Sequence, residues 1–323
     1  MASWCLAHTA ETQDEHARAT LNLEYNLRTS YTEEDGFGLI VDDGKVKLGA
    51  IAVATLAILE HEDRGELAGV REALLRTVEH LANVDGSFRT FYRPPERTDN
   101  QNFYPGEALL VWATVYERDP RPELLERILR SFRYYRAWHY ENPNPAFVPW
   151  HTQAYYKLWR RTGNSNLLGF ILDRNDWLLN MQQWDGVRND DVKGQFYDPK
   201  HPEYGPPHAS STGVYLEGLA DAFDAAKESG EAERAEAYRL AIARGLRSLM
   251  QLQFSDDLDM FYVSKRRRVL ERCGRLSTTT RSALITSSTA CSPSTRYSGD
   301  SVPRTTPRAD RAESDEVDFH PQS

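Results

Sequence analysis

Helical segments of two kinds alternate along the first 263 residues, and this alternation restricts the fold more than any other feature of the chain. The segment Leu48–His61 is apolar almost all round (Ile51, Val53, Leu56, Ile58, Leu59), the pattern of a helix buried on every side. Gly65–Ala82 follows with one apolar stripe (Leu67, Val70, Leu74, Leu75, Val78, Leu81) and an opposite face of Glu66, Arg71, Glu72, Arg76 and Glu79. The same succession recurs in Glu107–Glu117 and Pro122–Trp138, in the aromatic-rich His151–Trp159 and one-sided Ser165–Gln183, and in Thr212–Ala226 and Glu231–Leu252. A helix without a polar face has to be covered, and each one-sided segment supplies a cover for the helix before it. Four such pairs predict an all-α fold in a double layer, apolar helices inside and one-sided helices outside.

Connections within the pairs are short, as in Arg118-Asp119-Pro120-Arg121 and Arg161-Thr162-Gly163-Asn164, which makes the paired helices antiparallel neighbours. Connections between pairs are long and rich in Gly, Pro and aromatic residues: Asp85-Gly86-Ser87-Phe88 through Gln101, Glu141–Trp150, and Gly194-Gln195-Phe196-Tyr197 through His208. They all gather at one face, where the inner helices start, and a pocket is expected there. Gly36-Phe37-Gly38-Leu39 ahead of Asp42-Asp43-Gly44 reads as a short β-hairpin leading into the first inner helix.

Residues 1–263 carry 28 Lys and Arg against 41 Asp and Glu, a net charge of −13. Nucleic acid and anionic membranes are therefore not expected as partners, since binding them depends on neutralising phosphate. No apolar run approaches the roughly 18 residues of a membrane span, and Met1-Ala2-Ser3-Trp4-Cys5 turns polar too soon for a secretion signal. Cys5, Cys273 and Cys291 form neither a disulfide framework nor a paired metal motif, so a reduced, cytoplasmic protein without metal or cofactor is expected. Residues 264–323 are of another kind: 19 of the 60 are Ser or Thr and no apolar period persists. They read either as a disordered tail or as a stretch out of frame, because a one-nucleotide shift from Arg272 onward permits a loop followed by another apolar helix. The expected domain is residues 1–263 and the tail 264–323.

The helix alternation, the loop Asp85-Gly86-Ser87-Phe88, and the inner-helix starts Phe103-Tyr104-Pro105-Gly106-Glu107-Ala108 and Tyr215-Leu216-Glu217-Gly218-Leu219 resemble the six-hairpin (α/α)-toroid superfamily, typical of many carbohydrate-active enzymes. The resemblance spans about residues 36–263. It implies a toroid or partial toroid of helical hairpins with a saccharide, or another small polar ligand, at the mouth. Four hairpins are legible where the family builds up to six, and Asp14–Thr29, with Leu21, Leu23 and Leu27, reads as half of another.

Aligning the inner helices by their apolar runs puts Ala50, Glu107, Gln153 and Glu217 at matching positions. A buried carboxylate must be paired, hydrogen-bonded or protonated. Glu107 and Glu217 therefore either brace the ring by accepting hydrogen bonds or face the pocket as sugar ligands or as an acid/base pair. His151, beside Trp150, is either a helix-start anchor or an auxiliary base. Gln101, Tyr104, Trp150, Gln153, Tyr155 and Tyr215 are the expected substrate contacts, since phenols and indoles combine stacking with a hydrogen bond, whereas Trp112 and Trp159 read as core. Ser211 or Thr212 reads as a helix N-cap, and Lys47 reads as a solvated strand-end lysine or a carboxylate ligand. Asp42-Asp43 and Asp190-Asp191 read as turns, and Asp256-Asp257-Leu258-Asp259 lacks the spacing of a metal-binding aspartate motif.

No phosphate-binding Gly-rich loop and no GxSxG elbow is present. Two functions remain: a carbohydrate-processing protein working by general acid/base chemistry (hydrolase, epimerase or lyase), or a non-catalytic binding or scaffold protein or truncated remnant. The sequence leaves the oligomeric state open.

Overall fold

The computed structural model describes residues 1–61, 65–187, 190–204 and 207–253. Among these residues there are ten α-helices, and four short strands form one small antiparallel sheet. The inner helices are α3 (Leu48–Glu60), α5 (Tyr104–Arg118), α7 (Phe147–Thr162) and α9 (Ala209–Glu228). Their outer companions are α4 (Ala68–Leu81), α6 (Pro122–Glu141), α8 (Ser165–Leu179) and α10 (Ala232–Gln251). Each outer helix packs on the inner helix of its own pair, and inner helices pack in series, α3 on α5, α5 on α7, α7 on α9. The predicted double layer is thus present, with the all-round apolar segments inside. Full burial of each Leu, Ile or Phe is worth roughly 1.5–3 kcal/mol, and a single connected core runs through both layers.

A fifth pair precedes these four. Helix α1 (Ala2–Thr9) packs on α3, and α2 (Gln13–Ser30) packs against α1 and the sheet. The expected half-hairpin at 14–29 is α2, whose N-terminus is closed by a capping box between Thr12 and Glu15. Trp4 of α1 stacks on Trp150 of α7, ring centroids 6.0 Å apart. Because α1 neighbours α3 yet touches α7, two inner helices further on, the inner layer curls round a common hollow.

Three inner helices start earlier than the apolar pattern predicts, at Tyr104, Phe147 and Ala209. Pro105 and Pro149 sit in first turns, where a missing N–H costs nothing, and the polar or aromatic residues around them hide the helical period. The predicted hairpin is β2 (Phe37–Asp42) with β3 (Lys45–Lys47), and Asp43 turns it at φ 49°. Strand β1 (Tyr31–Glu34) flanks β2, and β4 (Phe91–Arg93), from the next long connection, pairs with β3. The sheet therefore ties the connection ahead of α3 to the one ahead of α5.

One contact repeats round the outer layer. Gly86 (φ 97°) and Gly194 (φ 95°) lie in the loops after α4 and α8, and each rests on the backbone of the next outer helix, at Arg130 of α6 and Arg244 of α10. Two residues on, Phe88 and Phe196 turn inward and form an isolated bridge back to the preceding helix end, with Ala82 and Gln182. Phe88 donates its N–H to the Tyr135 hydroxyl of α6 at 2.9 Å. Glycine is required by both the positive φ and the close approach.

Behind α7, Phe147 is sandwiched between two buried imidazoles, His139 at 4.2 Å and His151 at 3.5 Å between centroids. Burial pushes their pKa values down, to about 4 for His139 and about 3 for His151.

Two outcomes follow from this packing. Gly86→Ala and Gly194→Ala should each cost about 1–3 kcal/mol through backbone strain alone, read as a lowered denaturation midpoint with an unchanged denaturant slope. For the histidines, the unfolded chain takes up protons below about pH 6.5 while the folded chain keeps both rings neutral, so their contribution is whole above that pH and is lost on acidification. The stability gap between the parent and His139→Asn should therefore narrow by about 2 kcal/mol from pH 7.5 to pH 5. A gap that stays constant over that range would show that His139 titrates alike in both states.

Candidate functional site

Close contacts fix the inner helices at a common level. Gly49 of α3 lies against the Glu107 carboxyl and the Tyr104 ring, Gly106 against Trp150 and the His151 ring, and Gly218 against Pro149. Ala50, Glu107 and Glu217 each stand next in sequence to one of these contact glycines.

Two cavities open there. The mouth cavity, about 500 Å³, is lined from α5 and its entry by Phe103 and Glu107, and from the start of α7 by Asn144, Pro145, Ala146 and Trp150. Met181, Phe196, Tyr197 and Asp198 come from the connection after α8, and His208, Ser210, Ser211, Val214 and Tyr215 from the start of α9. The second cavity, about 470 Å³, lies between α1, α2 and α3 and is bounded by Asn26, Ser30, Ala50, Ala54, Tyr104 and Glu107, among others. Glu107 and Met1 line both cavities.

Glu107 is the side chain on which this geometry converges. It is 8 % exposed, and its Oε2 has no hydrogen-bond partner. Burial raises its pKa to about 7, against the opposing pull of the Met1 α-ammonium. Near neutral pH both its acid and its carboxylate forms are populated, the condition under which a carboxyl both gives and takes protons. Tyr104 is half-buried beside it, with its ring edge on Phe91, and its phenol pKa is pushed up by burial and by Glu107. Trp150 forms one wall of the mouth cavity, partly covered by Trp4. Tyr215 forms another, edge-on to Phe196 at 5.4 Å, its pKa raised by burial and by the charge of Asp198.

The remaining expected residues lie elsewhere. Glu217 is buried on α9 at the level of Pro149 but lines neither cavity, and the same is true of Gln153, whose buried Nε2 has no acceptor. His151 packs between Gly106 of α5 and Tyr135 of α6, its Nδ1 at 2.9 Å from the Phe147 carbonyl and its ring also against Phe147 and Tyr155. Tyr155 sits four residues on, on the same face, fully buried against Phe132 and Phe170. Gln101 braces the loop, its Nε2 donating to the Phe88 carbonyl at 3.1 Å and its Oε1 accepting from the Tyr135 hydroxyl at 3.0 Å. Lys47 is held by Asp42 at 2.8 Å.

The cap of α9 corrects the sequence expectation of Ser211 or Thr212. It is His208, whose Nδ1 accepts the Ser211 N–H at 3.2 Å, so an imidazole does what a short hydroxyl was expected to do. Sequence reasoning missed Asp198 and Asn144. Asp198 is buried and accepts the Lys200 N–H at 3.0 Å, while Asn144 accepts the Ala146 N–H at 2.9 Å. Both sit in turns between helices, where Asp and Asn are ordinary. The only signal was their place in the long connections at the mouth. The tail, the frame-shift reading and Asp256–Asp259 lie outside the described residues.

Among the described residues no helix is long and apolar enough to cross a membrane. No family model matches the chain, and no curated protein matches it. The fold is similar to the crystal structure of a sugar epimerase from a ruminal bacterium, with a TM-score of 0.52 and 12% identity, over 79% of this chain and 75% of that one.

Proposed function

We propose that the chain is a carbohydrate-processing protein of the six-hairpin (α/α)-toroid type, acting on a saccharide in the mouth cavity by general acid/base chemistry. The observation that carries the reading is Glu107, a buried carboxyl with an unpartnered oxygen on the partition between two cavities and a pKa of about 7. A group held near half-ionisation is poised to exchange protons with a bound substrate. Burying such a carboxyl with one oxygen unpartnered works against stability, a cost that a functional role explains.

In this reading Glu107 is the proton donor and acceptor. Trp150 and Tyr215 bound the sugar at the mouth and Tyr104 from the second cavity. Glu217 is the second carboxylate at the same level, and the Gln153 amide is a donor held ready behind the wall. His151 and Tyr155 support the wall from the face of α7 that packs against the outer layer. The cavity volume is within the 300–1,000 Å³ usual for small-ligand sites. The similar structure belongs to a sugar epimerase, which supports a saccharide here. An epimerisation needs a group that removes a proton from carbon and one that returns it, a task for which a half-ionised carboxyl is suited. A cytoplasmic setting accompanies this reading.

Glu107→Gln keeps the shape and removes the ionisation. Turnover of a saccharide accepted by the parent, followed by NMR of the sugar, should fall about 10²–10⁴-fold. The thermal stabilisation given by that saccharide should survive. If the parent is stabilised by saccharides but converts none of them, the binding-protein reading replaces the catalytic one.

A further inference from the structure

We infer that the mouth cavity takes a saccharide without negative charge, a neutral or amino sugar, and excludes uronates and sugar phosphates. This rests on the saccharide reading of the same site and specifies its substrate class. Three sets of contacts lead to it.

The first is the charge of the wall. Glu107 and Asp198, each 8 % exposed, both line the mouth cavity. A second anion brought beside buried carboxylates is repelled with little screening by water. A hydroxyl or ammonium group donates to them instead.

The second is the state of the helix starts. A helix N-terminus holds an anion with N–H groups that the helix leaves over. Here the entry loops take up those at the start of α7 and several at the starts of α5 and α9. At the start of α7, Asn144 Oδ1 accepts the Ala146 N–H at 2.9 Å, and the Asn144 and Pro145 carbonyls accept those of Phe147 and Val148, both at 3.2 Å. At the start of α9, His208 Nδ1 accepts the Ser211 N–H at 3.2 Å and the His208 carbonyl that of Thr212 at 3.1 Å. The N–H groups of Phe103 and Tyr104 both go to the Asn100 carbonyl, and Pro105 has none.

The third is the state of the cations near the inner-helix entries. Lys47 is paired with Asp42 at 2.8 Å, Arg93 with Glu34 at 2.6 Å, and the Arg97 Nε with Asp99 at 2.8 Å. Recruiting any of them to an anionic sugar would leave a carboxylate behind. Among the described residues the mouth cavity is lined mainly by acceptors and aromatic faces, and the Met1 α-ammonium that also lines it is drawn to the Glu107 carboxyl.

The test is a thermal melt of the full chain at pH 7.5 and matched ionic strength, titrated with sets of equal configuration: glucose, glucosamine, glucuronate and glucose 6-phosphate, then the mannose and cellobiose series. The expected result is a rise in Tm with a neutral or amino member and an apparent Kd at least tenfold weaker for its uronate and phosphate counterparts. Asp198→Asn, which keeps the acceptor that holds Lys200, should narrow that ratio several-fold. Equal or tighter binding of a uronate or phosphate would overturn the charge inference and leave the saccharide reading standing. No shift with any sugar would overturn that reading, and the inference with it.

Discussion

An all-round apolar helix has no face to give to water, and the architecture follows from that constraint. Helices α3, α5, α7 and α9 have to be enclosed, and a single layer would leave half of each exposed. Pairing each with a one-sided companion solves the problem locally, through short antiparallel connections. Lining the inner helices up side by side solves it laterally. The curl that brings Trp4 of α1 onto Trp150 of α7 covers the remaining flank and leaves a hollow at the centre.

What the hollow contains is a second consequence of the same packing. Helices that start together put their first turns, their entry loops and their least apolar residues at one end. Glycines at 49, 106 and 218 let the helices approach closely there, so a side chain such as Glu107 is desolvated by its neighbours' backbones and not by a greasy wall alone. Its pKa is a property of this convergence. The loop glycines at 86 and 194 act likewise outside, docking each connection on the next outer helix and carrying Phe88 and Phe196 inward. The mouth cavity is bounded by the second of these loops, and its shape is tied to the outer layer's register.

Much of this was legible from residue order. The apolar period marked every inner and outer helix of the four pairs, and Gly36 through Gly44 marked the hairpin that opens the first. Glu107 stood out because a carboxylate broke an otherwise apolar run. The periodic signal failed where Pro105, Pro149 and the stretch from His208 to Ser211 occupy first turns, because caps and prolines follow rules of their own. It also failed for His151 and Tyr155. Four residues apart on one helix, they share a face, but the sequence does not say whether that face is turned to the hollow or to α6 and α8.

The sequence by itself determined which helices are inside, which cover them, and that their starts and long loops share one end, because burial of apolar surface depends on composition along each helix. Only the tertiary structure decided which polar residues meet. Asp198 and His208, Asn144, and Glu107 come from three separate stretches of chain, and their contacts depend on the curl of the layers and the rotation of each helix about its axis. Those quantities are set by the sum of many side-chain contacts between helices, and no segment read alone contains them.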